Sequence, residues 1–178
     1  MRAAPQPIPE EFAQGVACHL SSRGPAATQR LGQIIGETLQ AGDVLLLDGP
    51  LGAGKTCLVQ GLAVGLGVPP GTIVNSPSFA LVHQYEGRLW LVHADLYRLE
   101  HPEELSELGL WEAAETGGVV VIEWASRCPG EMPRDHLALQ IVPGNGRMRE
   151  LTLRASGPTA KARLCALERK LPAERRIK

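Results

Sequence analysis

The octapeptide Gly49-Pro50-Leu51-Gly52-Ala53-Gly54-Lys55-Thr56 fits the spacing G-x-x-x-x-G-K-[ST] without a mismatch. Glycines at these positions let successive backbone N–H groups curl round a polyphosphate, while the lysine reaches its terminal phosphates. The Thr56 hydroxyl then stands where a magnesium ion needs a ligand. Pro50 is a departure, because it has no N–H and can donate nothing. The donors are therefore expected between Gly52 and Thr56. An ordinary glycine-rich turn is the alternative, and the flanking elements argue against it.

Three other groups could take part in such chemistry. A phosphate loop needs a second carboxylate for magnesium, and Glu123 follows the apolar run Val119-Val120-Val121-Ile122 at the edge where ligands gather in open α/β sheets. Asp is the usual residue there, and a surface Glu capping the strand is the competing account. In His93-Ala94-Asp95-Leu96-Tyr97-Arg98 an extended chain would put His93, Asp95 and Tyr97 on one side. Together they could orient water or an outer-sphere magnesium ligand, and Arg98 could neutralise charge on a transferring phosphate. A solvated hairpin face accounts for the same residues. In Ser76-Pro77-Ser78-Phe79 the hydroxyls could sense a terminal phosphate, although Ser-Pro is also common in turns.

The elements that must position these groups are legible in outline. Val44-Leu45-Leu46-Leu47 predicts a buried parallel strand immediately before the loop. Leu58, Val59, Leu62, Ala63 and Leu66 recur at helical spacing after it, until Gly67 and Pro69-Pro70 stop them. Strand, turn and helix in that order put a helix N-terminus beneath the phosphates. Upstream, residues 15–21 predict a short strand, and Ala27, Leu31, Ile34, Ile35 and Leu39 share a helical face that Gly42 is placed to end. Hairpins are expected around Glu86-Gly87 and around residues 143–146, and one or two short exposed helices over the acidic stretch 101–115. The mixture predicts an α/β domain in three layers, with a parallel core and antiparallel additions.

Length and a hydrophobic content of 44% suit one domain with a real core. The net charge of −1 argues against wholesale coating of nucleic acid, but it is unevenly spread. Residues 159–178 carry seven Lys or Arg against Glu168 and Glu174, so a body of residues 1–158 at net −6 bears a tail at net +5. That tail reads as a helical interaction segment or as a solvated helix end, and residues 1–11 as disordered. Cys18, Cys57, Cys128 and Cys165 are scattered, with neither zinc nor disulfide spacing. The first residues lack a signal-peptide core and no run has the length of a membrane span, so a cytoplasmic location is expected.

These segments occur in an informative order: the phosphate loop, Ser76-Pro77-Ser78-Phe79, Leu81-Val82, His93 to Leu99, Glu103-Glu104-Leu105, Leu108-Gly109-Leu110 and Ile122-Glu123-Trp124. With Thr28-Gln29-Arg30-Leu31-Gly32 before them, the succession resembles the bacterial TsaE (YjeE) family, ATPases of the system that makes threonylcarbamoyladenosine in tRNA. The resemblance spans about residues 26–127 and leaves out the basic tail. It implies a compact P-loop NTPase-like domain with a mixed sheet. It implies ATP and Mg2+ as ligands, with Thr28, Gly52, Ala53, Gly54, Lys55, Thr56, Cys57 and Ser78 at the nucleotide and Thr28 near its base. Thr56 and Glu123 would be the magnesium ligands, with Lys55 and Asp95 needed for turnover. It also implies a TsaB–TsaD type partner complex, with tRNA touched indirectly or weakly and no membrane. Pro50, Ser78, Ala80 and Ala125 depart from the family pattern; Ser78 keeps a hydroxyl, and Ala80 is given no role.

Other classes fit parts of the sequence. A small-molecule kinase would share the loop and the size, but needs a lid with arginines, for which Arg127 and Arg134 are available. A GTPase would carry Asn-Lys-x-Asp, which does not occur. A nucleotide sensor without turnover would follow if Asp95 and Glu123 were structural.

Overall fold

The apolar run that precedes the phosphate loop and the one that ends in Glu123 form neighbouring parallel strands at the centre of a seven-stranded sheet. The computed structural model describes Phe12 and residues 15–171. In chain order the elements are β1 (Val16–Arg23), α1 (Pro25–Gly36), β2 (Val44–Asp48), α2 (Lys55–Gly65), β3 (Val82–Tyr85), β4 (Leu91–Asp95), α3 (Leu110–Glu115), β5 (Val119–Glu123), β6 (His136–Pro143), β7 (Met148–Ser156) and α4 (Pro158–Lys170). A 3-10 helix, Pro102–Leu108, precedes α3.

The sheet order is β1-β7-β6-β2-β5-β4-β3. The four strands β6, β2, β5 and β4 run parallel, whereas β1, β7 and β3 pair antiparallel with their neighbours. Both expected hairpins form, as β3–β4 and β6–β7. Side chains alternate between two cores, as the period of a strand requires. Leu45, Leu47, Val119 and Val121 pack on the side of α1, α2 and α4. Val44, Leu46, Val120 and Ile122 pack on the side of α3 and the 3-10 helix. The result is the three-layer α/β fold that the sequence predicts.

One boundary differs. Helix α1 ends at Gly36 rather than at Gly42, because the Thr38 hydroxyl donates to the Ile35 carbonyl at 2.7 Å and turns the chain inward, burying Leu39. Gly42, at φ 83°, instead makes the entry to β2, donating its N–H to the Gly118 carbonyl at 3.1 Å.

Helices α1 and α2 meet backbone to backbone. A Cβ on Gly32 would lie 2.3 Å from the Leu58 carbonyl oxygen, and one on Gly61 would lie 2.0 Å from that of Gln29. Gly36 and Gly65 repeat the arrangement one turn further on. The seam holds the helix that starts at the phosphate loop against the helix that carries Thr28.

The boundary drawn at residue 158 from charge falls at the start of α4. That helix buries Ala160, Leu164 and Leu167, and Leu171 beyond it, in the same core as α1 and α2. Asp135 accepts the N–H groups of Thr159 and Ala160 at 2.9 and 2.8 Å, and Arg163 donates to Asp43 at 2.7 Å. The basic segment through Leu171 is thus part of the domain; residues 1–11 and 172–178 lie outside the described residues. Deleting 159–178 should remove on the order of 5 kcal/mol of apolar burial and lower the denaturant midpoint sharply. Gly61→Ala should cost about 2 kcal/mol or more by overpacking the seam, read as a loss in unfolding free energy.

Candidate active site

Three neighbouring parallel strands, β2, β5 and β4, each end in an acid at the same edge of the sheet: Asp48, Glu123 and Asp95. Register places Glu123 opposite Leu47 on one side and Asp95 on the other. The loop between β2 and α2 passes over this edge and inserts Lys55, which is 5% exposed, among the three carboxylates. Burial pulls the ammonium below its usual pKa, while the charges of Glu123, Asp48 and Asp95 oppose that shift.

Lys55 Nζ donates to the carbonyls of Gly49 at 2.8 Å and Pro50 at 3.3 Å, and lies 3.9 Å from the centre of the Trp124 ring. Trp124 reaches that place because its backbone is left-handed, at φ 61°, which turns the chain sharply out of β5. Pro50, which cannot donate, accepts instead: its carbonyl takes the Ala53 N–H at 3.0 Å. Ala53 is fully buried and its own carbonyl accepts from Arg149 Nε at 2.8 Å. Its N–H is therefore turned into the loop, against the expectation that it donates outward. The N–H groups of Lys55, Thr56 and Cys57 open α2, where no intrahelical acceptor exists for them.

Thr56 Oγ1 donates to Glu123 Oε1 at 2.9 Å. Glu123 is 2% exposed and Asp95 3% exposed, so neither is a solvated surface residue. The alternative of a solvated hairpin face does not hold, because β4 is an interior strand between β5 and β3. Asp95 Oδ1 accepts the Tyr97 N–H at 2.9 Å, and Oδ2 accepts the Ser76 hydroxyl. Tyr97 does not continue the row of His93 and Asp95; it lies beyond β4, half-exposed, with its ring 5.0 Å from that of Trp124.

Two cavities adjoin the loop. One of about 390 Å³ is lined by Gly52, Gly54, Lys55, Thr56, Cys57, Ser76, Ser78, Asp95, Tyr97, Arg98, Glu123 and Trp124. The other, of about 510 Å³, is lined by Gly24, Thr28, Gln29, Gly52, Ala53, Gly54, Cys57, Arg147 and Arg149 among others. Thr28 is buried there, its hydroxyl within 2.8 Å of the Ser22 hydroxyl and donating to the Gly24 carbonyl at 3.1 Å. Cys57 Sγ approaches the Pro25 carbonyl at 3.4 Å, and burial pushes its thiol pKa up. A larger groove of about 690 Å³ runs between α1, α2 and residues 68–75, but Arg30 is the one charged residue lining it and no carboxylate does. The chemistry is concentrated at the loop.

Asp48 and Arg149 join the site beyond the residues expected from sequence. Asp48 accepts the Ser126 N–H at 3.2 Å and its hydroxyl at 2.6 Å. The signal that picks out Glu123, an acid closing an apolar strand, applies to it equally. Arg149 carries no such local signal, since only the pairing of β7 with β6 brings it to the loop.

Fold and site define a P-loop NTPase-like α/β domain. The chain belongs to the TsaE family: the family model described as threonylcarbamoyl adenosine biosynthesis protein TsaE matches residues 22–151. Proteins named tRNA threonylcarbamoyladenosine biosynthesis protein TsaE are similar to it. That of Treponema pallidum is 41% identical over 133 residues, covering 74% of this chain and 96% of the relative. That of Nostoc is 46% identical, covering 71% and 80%, and that of Bacillus subtilis 39% identical, covering 75% and 82%. The crystal structure of Bacillus subtilis YdiB superposes with a TM-score of 0.74 at 29% identity, over 88% of this chain and 97% of that one. Among the described residues no helix is long and apolar enough to cross a membrane.

Burial raises the Asp48 pKa, outweighing the hydrogen bonds from Ser126 and the nearby charge of Lys55. The folded chain thus keeps this proton to higher pH than the unfolded chain does. Between the ordinary carboxylate value and the raised one it binds more protons, so stability should fall as pH rises through that window. Asp48→Asn should remove this slope, measured as denaturant midpoint against pH.

Proposed function

We propose that the chain binds ATP with magnesium and hydrolyses it as an accessory ATPase of tRNA threonylcarbamoyladenosine biosynthesis, acting on a TsaB–TsaD type complex. Family membership supports the pathway. The convergence of Lys55, Thr56, Glu123 and Asp95 on one cavity supports the chemistry. Thr56 and Glu123 present hard oxygen donors 2.9 Å apart, the donor type magnesium selects, so the residues fit that ion. Bound there, magnesium would neutralise charge on the β- and γ-phosphates.

On this reading the α2 N-terminus and Lys55 cradle the phosphates, and Asp95 orients the attacking water and accepts its proton. The observation that carries the accessory role is the state of Asp95. Both its oxygens are engaged, one by the Ser76 hydroxyl, and Ser76 opens the segment that exposes Phe79 at 84%. A shift of that segment would release Oδ2 from Ser76 and leave it free for water, a step suited to a partner protein. A kinase lid finds less support, because Arg127 Nη2 is tied to the Leu99 carbonyl at 2.8 Å. Contact with tRNA is on this reading indirect, through the partners.

Lys55→Ala should weaken ATP binding at least about a hundredfold in a folded protein, since it removes a charge-assisted contact to two phosphates. Calorimetric affinity equal to wild type would remove the basis of the reading. Asp95→Ala and Glu123→Ala should bind ATP within a few-fold of wild type yet release phosphate about 10²–10³-fold more slowly. The isolated chain should turn over slowly and accelerate with its cognate TsaB and TsaD proteins. Fast turnover indifferent to both would put a small-molecule kinase first.

A further inference from the structure

Glu123 is the carboxylate on which the metal reading depends, and it is held from two sides. Thr56 approaches its Oε1 from α2, and His93 Nε2 lies 3.0 Å from the same oxygen on the neighbouring strand β4. His93 is 0% exposed, and its Nδ1 has no hydrogen-bond partner. A carboxylate can only accept, so Nε2 must carry the proton of this bond. The ring thus donates through Nε2, while Nδ1 meets no partner in the core. An apolar side chain would fill this interior slot without leaving a buried nitrogen unpaired, so packing alone gives no reason for an imidazole. What the imidazole adds is a rigid donor of fixed reach, aimed at the acid that closes β5.

We propose that His93 is a positioning residue for the magnesium carboxylate. Its Nε2–H fixes the Glu123 side chain, while Oε2 stays outside this pair of bonds. The inference rests on the proposed nucleotide and magnesium reading of the site. It assigns His93 no contact with nucleotide or metal; the residue acts through Glu123.

The test separates reach from packing. A Gln side chain places its amide nitrogen about where Nε2 stands, whereas Asn places it near Nδ1 and falls short of Glu123. Manganese binding would be followed by electron paramagnetic resonance on the full chain saturated with a non-hydrolysable ATP analogue. Calorimetry would report analogue affinity without metal. His93→Asn should weaken manganese binding about 10–100-fold and His93→Gln should stay within about threefold of wild type, with metal-free affinity unchanged in both. Equal losses in the two variants would assign His93 to packing and overturn the proposal. Wild-type manganese binding in His93→Asn would overturn it too. If Glu123→Ala then loses the metal, the site reading survives; if Glu123→Ala also binds manganese normally, both fall. Long-range 1H–15N correlation on the unmutated chain gives a check independent of any variant's folding: the His93 ring should carry its proton on Nε2, and a ring protonated only on Nδ1 would overturn the bond itself.

Discussion

A buried ammonium needs compensation, and the architecture around Lys55 is arranged to supply it. Removing a lysine from water is costly unless opposite charge or directed dipoles replace the lost hydration. Here two carbonyls of its own loop, the face of Trp124 and three strand-ending carboxylates do so together. The carboxylates are close enough only because β2, β5 and β4 are adjacent and parallel, so that their carboxyl ends coincide. Parallel pairing requires crossovers, and α2 and α3 lie in those that link β2 to β4 and β4 to β5. Much of the topology can thus be traced to one charge in one place.

The same crowding explains why the site is built from restrained rather than free groups. Thr56 and His93 converge on Glu123, Ser76 and Tyr97 on Asp95, and Ser126 on Asp48. Each bond answers the desolvation of a carboxylate, and each also fixes a side-chain direction before any ligand arrives. Preorganisation and charge compensation are here the same set of contacts.

What the sequence made legible was whatever is encoded locally. The phosphate loop, the Val119–Ile122 run and both hairpins depend on neighbours within a few residues, and all formed where the pattern placed them. Helix α1 stops short of Gly42 because the Thr38 hydroxyl bonds the Ile35 carbonyl and Leu39 turns into the core, neither of which a glycine position reveals. The charge count of the C-terminal segment hid its Leu164 and Leu167 stripe, which lies under the basic residues rather than beside them. Within the site, Glu123 was visible as an acid ending an apolar strand. Its tie to His93 was not, because it depends on the register between two strands distant in sequence. Arg149 was invisible for the same reason, with a whole sheet edge between it and the loop in chain order.

The glycine seam has a geometric consequence. Most helix pairs are spaced by side chains, which can be trimmed or enlarged and so let the distance between helices drift. Along Gly32, Gly36, Gly61 and Gly65 the spacing is set by main-chain atoms, whose dimensions no substitution can alter. The wall bearing Thr28 and the helix start bearing Thr56 are therefore held at a distance set by van der Waals contact between two backbones. The seam works as an internal ruler: it gauges the width of the cleft from the Thr28 wall to the start of α2, whatever residues line it.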